Sequence, residues 1–203
     1  MTAAKVVLLR HGITDWNHTG RFQGQADIPL NDRGIAQAAA AASALADFGI
    51  TRIVSSDLVR AQTTAQALAS ACALPFSTDP RLQEINVGSW AGLDTTEVAA
   101  LEPSFWDDLK AGRDFRRSPT GETAVETGNR VAAAIREWAE RCDDEEILAV
   151  VGHGLALRVS MLNLMGLDHA HSRLFAGVGN CHWTVLKPGV DYWRLISYNN
   201  AAH

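Results

Sequence analysis

The sequence predicts a three-layer α/β/α fold, in which helices cover both faces of a mostly parallel sheet. An antiparallel element at the C-terminal end and a lid insertion complete this prediction. Short apolar runs typical of strands alternate with helical stretches along the 203 residues. Two of these runs, residues 5–9 and 147–151, lead into His11 and His153, each next to a glycine. Ligands bind beyond the carboxyl ends of strands in such sheets, so both histidines are candidates for one site.

The first half of the chain predicts two strand–helix units. Strands are expected at residues 5–10, 50–55 and 76–78, of which the third is the weakest candidate. The helix between the first two strands begins at a cap on Asn31 or Asp32 and ends at Gly49. A second helix is expected to begin at a Ser56 cap and to run to about Ala71.

The second half contains a segment that departs from this alternation. Residues 93–121 hold two prolines and a cluster of arginines, and we expect them to form a lid within a single domain spanning residues 1–203. Thr123 and Glu126 form a capping box for a long helix that runs to about Cys142. The last predicted elements are a strand at 146–151, a helix after it, and a β-hairpin of strands 181–187 and 192–198.

Composition and charge exclude several classes of function. A hydrophobic fraction of 47% and a charged fraction of 20% are typical of a globular domain. The net charge of −5 argues against binding to nucleic acid, and no run approaches the ~20 apolar residues of a membrane span. Three widely spaced cysteines predict reduced thiols and a cytoplasmic protein. The arginines beside the histidine motifs predict a small anionic ligand.

Six blocks of the sequence resemble the histidine phosphatase superfamily, also called the phosphoglycerate mutase-like family. They are RHGITDWN (residues 10–17), RFQG (21–24), LNDRG (30–34), SSDLVRAQTTA (55–65), LQEINVGSWAG (82–92) and VGHG (151–154). The blocks follow the order of the family and cover nearly the whole chain. The resemblance implies phosphoryl transfer from a small phosphorylated metabolite through a phosphohistidine, with no metal and no other cofactor.

His11 is the candidate nucleophile of this chemistry. An imidazole with its ordinary pKa of about 6.5 has a free lone pair near neutral pH. Arg10 and Arg60 can each bind two phosphate oxygens, and a protonated His153 would supply a further donor. Gly154 opens a helix whose N-terminal N–H groups favour an anion.

The leaving group needs a proton, and the resemblance assigns this role to Glu84. Asp15 is the alternative acid. The resemblance also implies contacts to the phosphate or the rest of the substrate from the loop residues Asn17, Arg21, Gln23 and Gly24. Arg116 and Arg117, in the predicted lid, either bind a second anionic group such as a carboxylate or only solvate the lid.

Three functions remain open. A metal-independent phosphomonoesterase is favoured, because the insertion is shorter than the lid of the cofactor-dependent phosphoglycerate mutases. Residues 179–186 and 193–199 also resemble the glucosyl-3-phosphoglycerate phosphatases of actinobacteria, so that ester is a candidate substrate. The alternatives are a phosphoglycerate mutase that requires a bisphosphate primer and a catalytically silent protein that binds a phosphorylated metabolite. An apolar edge on the terminal hairpin would permit a homodimer.

Overall fold

Six strands form one sheet at the centre of the computed structural model, which describes residues 2–202. The strands are β1 (Lys5–Arg10), β2 (Arg52–Ser55), β3 (Phe76–Thr78), β4 (Ile147–Gly152), β5 (Trp183–Lys187) and β6 (Arg194–Asn200). Their order in the sheet is β3-β2-β4-β1-β5-β6. The pairings among β1 to β4 are parallel, whereas β5 pairs antiparallel with both β1 and β6. The prediction of a mostly parallel sheet with an antiparallel C-terminal element is therefore confirmed.

Helices cover both faces of this sheet. The α-helices of the described chain are α1 (Asp15–His18), α2 (Asp32–Leu45), α3 (Val59–Cys72), α4 (Thr95–Leu101), α5 (Phe105–Ala111), α6 (Ala124–Glu140) and α7 (Gly154–Leu164). Helices α2 and α3 pack on one face, and α6 and α7 pack on the other, which confirms the three layers. Within residues 2–202, no helix is both long and apolar enough to span a membrane.

Strand β1 is buried on both faces, which explains its unbroken apolar run. Val6 and Leu8 belong to the core beneath α6 and α7, whereas Val7 and Leu9 belong to the core beneath α2 and α3. A parallel strand that is covered by helices on both faces has a continuous hydrophobic sequence rather than an alternating one. Strand β1 and its neighbour β4 therefore form the centre of the molecule.

Two of the three predicted helix caps are confirmed. The Asn31 side chain caps α2, and Thr123 with Glu126 forms the capping box of α6. The expected Ser56 cap is wrong. Helix α3 follows Leu58 instead, because the Ser56 hydroxyl accepts a hydrogen bond from the Leu58 N–H in a local turn, at 3.3 Å.

Some strand boundaries also differ from the predicted ones. Strand β2 begins two residues later than expected, and β5 begins at Trp183. Cys181 has a φ of 57°, in the left-handed region, so the chain is not extended there. The pairing of β5 with β6 shifts register between Trp183 and Leu186, and β6 begins at Arg194, two residues later than expected.

Residues 93–121 carry α4 and α5 and pack through an apolar cluster of their own. Val98 and Phe105 from these helices contact a group that includes Ile85 and Val87. The latter two also line the cavity that contains His11. The segment that the sequence singles out therefore lies beside the site.

Gly34, in the first turn of α2, packs against the backbone of the loop that carries His11. A methyl group at Gly34 would lie 2.1 Å from the carbonyl oxygen of Ile13, whereas exchanging glycine for alanine inside a helix normally stabilises it by about 1 kcal/mol. We expect Gly34→Ala to lower the free energy of unfolding by about 1–3 kcal/mol, measured by urea denaturation. Gly177→Ala is the control, because a methyl group there meets nothing within 4 Å. A Gly34→Ala variant as stable as the wild type would contradict the close approach.

Candidate active site

The two motif histidines meet because β1 and β4 pair in parallel with Arg10 opposite Gly152. His11 and His153 therefore leave neighbouring strands at the same edge of the sheet. The backbone N–H of His11 donates to the Gly152 carbonyl oxygen at 3.0 Å. The centroids of the two imidazole rings are 5.1 Å apart. Both side chains are buried.

His11 is held with one defined ring nitrogen free. Its Nδ1 lies 2.6 Å from the carbonyl oxygen of Gly12. A carbonyl only accepts hydrogen bonds, so Nδ1 carries the proton of the neutral ring and Nε2 carries the lone pair. Burial, followed by the charges of Arg10 and Arg60, holds the pKa of His11 well below its ordinary value. The ring is therefore neutral at neutral pH, and its Nε2 keeps the lone pair that a nucleophile requires.

His153 is oriented by Ser56, whose role the sequence reasoning missed. The His153 Nε2 lies 2.9 Å from the Ser56 hydroxyl oxygen. This oxygen accepts the Leu58 N–H, and when it also donates its own proton to Nε2 the neutral ring carries its proton on Nδ1. That Nδ1 is buried without a hydrogen-bond partner in residues 2–202. Burial, followed by the charge of Arg60, lowers the pKa of His153 well below its ordinary value.

Arg10 and Arg60 supply positive charge beside the histidines. Their side chains donate to backbone carbonyl oxygens, Arg10 to that of Val178 and Arg60 to those of Gly24 and Ala26, at 2.6–2.7 Å. The Nε of each arginine is buried and has no partner in the described chain. Burial lowers the pKa of Arg60 to about 10, so the side chain stays charged at neutral pH. Both guanidinium groups therefore keep a donor for an anion.

The Glu84 carboxylate lies at the N-terminus of α7. One of its oxygens accepts the N–H groups of Ile85 and Ala156, both at 2.9 Å, and the other accepts the N–H of Leu155 at 3.2 Å. Burial lowers the pKa values of Arg10 and Arg60, and the negative charge of Glu84 partly reverses this effect. Helix α7 thus holds an acid–base group close to the guanidinium groups.

These groups open into one cavity of about 200 Å³. The predicted site residues that line it are Arg10, His11, Asn17, Arg21, Gln23, Gly24, Arg60, Glu84 and Arg117. His153 and Gly154 lie next to it, since the His153 ring contacts that of His11 and a methyl group on Gly154 would lie 3.1 Å from the Arg10 Nε. Within residues 2–202, no three histidine, cysteine or acidic side chains are placed to hold a metal ion together.

The loop after β1 is held in shape by its own polar side chains. Thr14 and Asn17 form a capping box for α1, and the Gln23 side-chain oxygen accepts the Thr14 hydroxyl at 3.0 Å. Gly24 has a φ of 50°, and a methyl group there would lie 2.5 Å from a neighbouring side chain. A glycine at this position adopts the left-handed conformation and lets the loop pack closely against Ile85 and Val87.

The predicted arginines outside the phosphate motif differ in their placement. Arg21 reaches the cavity but lies 3.6 Å from the Glu97 carboxylate. Arg117 also lines the cavity. Arg116 does not, because its guanidinium group binds the Glu126 carboxylate and a backbone carbonyl on the other side of the loop. Of the two alternatives for Arg116, this placement outside the cavity favours solvation of the predicted lid over contact with the substrate.

The sequence reasoning also missed the apolar wall of the cavity, which consists of Phe22, Ile85, Val87 and Leu155. Phe22 lies between two predicted site residues in the same motif. Ile85 and Val87 are two positions apart, and alternate residues of an extended segment face the same side. The two-residue spacing of these apolar side chains is therefore the feature of the sequence that indicates an apolar cavity wall next to Glu84.

Removing the Ser56 hydroxyl should remove the hydrogen bond that orients the His153 ring and leave the His11 ring in place. We expect Ser56→Ala to change the tautomer populations of His153 in ¹⁵N NMR spectra, and to slow phosphoryl transfer about tenfold by leaving a buried ring nitrogen unpaired. Ser56→Thr, which keeps the hydroxyl, should restore both properties. Ser55→Ala is the matched control, because the Ser55 hydroxyl donates to a backbone carbonyl instead. Unchanged tautomers in Ser56→Ala would contradict the positioning role.

The whole chain resembles known proteins. The sequence model of the histidine phosphatase superfamily (branch 1) matches residues 6–201. The protein named probable phosphoglycerate mutase GpmB, from Yersinia pestis (strain Pestoides F), is 40% identical in an alignment that covers 98% of this chain and 94% of that protein.

Solved structures of two phosphatases are also similar to this chain. A mycobacterial glucosyl-3-phosphoglycerate phosphatase in complex with VO3 is 33% identical, with a TM-score of 0.89 over 98% of this chain and 100% of that one. The phosphoserine phosphatase of Entamoeba histolytica, in complex with 3-phosphoglyceric acid, is 27% identical, with a TM-score of 0.85 over 97% of both chains. The fold, the paired histidines and these matches agree, and the chain belongs to branch 1 of the histidine phosphatase superfamily.

Proposed function

We propose that this protein hydrolyses phosphate monoesters of small metabolites through a phosphohistidine on His11, without a metal ion. The geometry of His11 carries the proposal, because its Nδ1 is bonded to the Gly12 carbonyl and its Nε2 is left with the lone pair. Around it, the Nε atoms of Arg10 and Arg60 and the Nδ1 of His153 are buried donors without a partner in residues 2–202. A phosphoryl group would accept these donors around the atom that His11 attacks.

In the first step, the Nε2 of His11 attacks phosphorus. A P–N bond forms as the bond from phosphorus to the ester oxygen breaks. Protonated Glu84 gives its proton to the leaving oxygen, so an alcohol departs rather than an alkoxide. Arg10, Arg60 and His153 stabilise the negative charge on the phosphoryl oxygens during the transfer.

In the second step, a water molecule attacks the phosphohistidine. The P–N bond breaks, Glu84 takes a proton from the water, and inorganic phosphate leaves. His11 regains its lone pair and Glu84 its proton, so the cycle closes. The N–H groups of α7 that bind the Glu84 carboxylate support its position in both steps.

A phosphoglycerate mutase primed by a bisphosphate is the second candidate, favoured by the 40% identity to the probable mutase of Yersinia pestis. Both reactions use a phosphohistidine, and they differ in whether water or a second substrate oxygen accepts the phosphoryl group. The two phosphatases among the similar structures favour hydrolysis. Conversion of 3- to 2-phosphoglycerate in the presence of primer, faster than phosphate release, would support the mutase instead.

Glucosyl-3-phosphoglycerate is the substrate that we propose to test first. The mycobacterial phosphatase of that ester matches the chain along its whole length, and the sequence of the terminal hairpin supports the same subfamily. Phosphate release should be compared with that from phosphoserine, 3-phosphoglycerate and a nitrophenyl ester. Broad, weak hydrolysis of all four would retain the phosphatase and remove this substrate.

His11→Ala should abolish both turnover and the phosphoenzyme, because the P–N bond of the proposed first step forms at the His11 Nε2. The measurement is phosphate release with a chelator present, together with trapping of labelled protein after rapid mixing with a ³²P-labelled ester. His171→Ala, outside the cavity, should behave as the wild type in both assays. Labelled protein in His11→Ala would refute the assignment of the nucleophile, and loss of wild-type activity in chelator would refute metal independence.

Glu84→Gln should slow esters with poor leaving groups far more than esters with good ones. An alkyl ester needs the proton of the acid, whereas a nitrophenolate leaves readily without it. We expect a loss of about 10²–10⁴-fold in kcat for an alkyl phosphate and a much smaller loss for a nitrophenyl phosphate. Asp15→Asn tests the alternative acid and should affect neither ester, since Asp15 is exposed and bonded to Asn31. Equal losses on both esters would remove Glu84 as the acid.

The remaining expectations stay predictions. They are a cytoplasmic location, a homodimer formed through the terminal hairpin, and the absence of nucleic acid and membrane partners. The three cysteines, all unpaired, support the first of these.

A further inference from the structure

The segment that carries Glu84 has no regular secondary structure of its own. Residues 83–87 lie between two short 3₁₀ turns, Pro80–Leu82 and Gly88–Trp90, and belong to none of the six strands of the described chain. A backbone that lies outside helices and sheets must bond its carbonyl and N–H groups to other partners. Side chains from other parts of the chain therefore decide where Glu84 lies.

Arg130, in α6, binds three carbonyl oxygens at the start of this segment. Its Nη1 donates to the carbonyl oxygens of Arg81 and Gln83 at 2.7 and 3.1 Å. Its Nη2 donates to the Glu84 carbonyl oxygen at 3.4 Å, which also accepts the Gln25 side chain at 3.1 Å. One guanidinium group thus holds the backbone up to and including the residue that we propose as the acid.

Glu122 orients Arg130 and binds the backbone on the other side of Glu84. The Arg130 Nε and Nη2 donate to the two Glu122 carboxylate oxygens at 3.0 and 2.8 Å, a paired geometry that fixes the guanidinium plane. The same carboxylate accepts the Asn86 N–H at 2.9 Å, and the Glu122 N–H donates to the Asn86 carbonyl oxygen at 2.8 Å. Burial raises the pKa of Glu122, but the hydrogen bonds from Arg130 and Asn86 outweigh this effect and leave the pKa below its ordinary value. The ion pair therefore holds the backbone on both sides of Glu84 at neutral pH.

The ion pair acts on the cavity only through the segment that it holds. Of the residues that the structure describes, Glu84 lines the cavity, whereas Arg130 and Glu122 do not. The two side chains of the pair are each 23% exposed. A contribution of Arg130 to catalysis therefore has to pass through the position of Glu84.

The backbone bonds from Arg130 matter most when Glu84 is protonated. The Glu84 carboxylate accepts three N–H groups, two of which belong to α7. Hydrogen bonds to a charged acceptor are about twice as strong as those to a neutral one. The attachment of Glu84 to α7 therefore weakens when the carboxyl group carries the proton that it gives to the leaving oxygen. The bonds from Arg130 end on backbone carbonyl oxygens, so they remain when the side chain is protonated.

We propose that Arg130 is a positioning residue for the general acid and keeps Glu84 in place in both of its protonation states. This inference rests on the proposed phosphatase function. Because Arg130 acts through Glu84, its removal should slow those reactions that need the proton of Glu84. A residue that only stabilised the fold would affect all substrates alike.

The first test compares an alkyl phosphate with a nitrophenyl phosphate. Arg130→Met should lower kcat for the alkyl ester about 10–100-fold, the effect of a displaced catalytic group. The loss for the nitrophenyl ester should be much smaller, because its leaving group departs readily without an acid. The KM of both esters should stay unchanged, since the groups that bind the phosphate lie on other segments. A ratio of the two kcat values equal to that of the wild type would overturn the proposal.

The second test repeats the substitution in the Glu84→Gln background. Arg130→Met should cause no further loss there for the alkyl phosphate, because the proton that it helps to position is already missing. A further loss as large as that of Arg130→Met alone would show that Arg130 acts independently of Glu84. That outcome would also overturn the proposal.

Two further variants complete the comparison. Arg130→Lys keeps the charge beside Glu122 but cannot reach three carbonyl oxygens, so it should show a smaller loss of the same selective kind. If Arg130→Met does not fold, Arg130→Lys decides by the same ratio and in the same two backgrounds. Arg136→Met is the matched control on α6, because the Arg136 Nη2 binds Asn163 instead, at 2.9 and 3.2 Å. A change of the ratio in Arg136→Met as large as in Arg130→Met would count against the proposal.

Failure of the phosphatase function would be seen separately. If the wild type releases phosphate from neither ester, that function is refuted, and NMR spectra then test the position of Glu84 by itself. The backbone amide signals of Leu155 and Ala156, whose N–H groups the Glu84 carboxylate accepts, should move in Arg130→Met towards their positions in Glu84→Ala. Arg130→Lys replaces Arg130→Met if the latter does not fold, and Arg136→Met should leave the signals in place. Unchanged signals in the Arg130 variant would overturn the positioning role.

Discussion

The parallel pairing of β1 with β4 is the constraint on which the rest of the site depends. It places Arg10 opposite Gly152 and thereby brings the two histidines that follow these residues side by side. A slip of one residue would turn every side chain of β1 to the other face of the sheet. Val6 and Leu8 would then leave the core beneath α6 and α7. The hydrophobic pattern that builds the core thus also fixes the distance between the two imidazole rings.

The site also depends on how its buried charges are solvated. Arg10 and Arg60 donate to backbone carbonyl oxygens, which satisfy part of each guanidinium group without neutralising it. Carboxylate partners in the same positions would satisfy the donors equally well but would cancel the potential that attracts a phosphate. Glu84, the carboxylate that does reach this cavity, is engaged by the N–H groups of α7. Positive potential is therefore retained inside a protein whose net charge is negative.

The sequence predicted the fold well because its signals are local. The apolar run of β1, the Asn31 cap and the capping box at Thr123 each act within a few residues, and the structure confirms them. Ser56 and Arg116 could not be placed in the same way. The partner of the Ser56 hydroxyl lies 97 residues further along the chain, and the orientation of Arg116 depends on how a loop packs against α6. Such contacts follow from tertiary packing, and no local sequence pattern predicts them.

The position of β4 in the sheet also governs how the chain is made. Strand β4 lies between β2 and β1 but is synthesised long after both. Until β4 has left the ribosome, β1 and β2 have no common neighbour, and each presents an unpaired apolar edge. A chain that stops before β4 lacks His153 and helix α7 as well. We therefore expect termination before β4 to yield aggregation-prone fragments rather than a smaller folded domain.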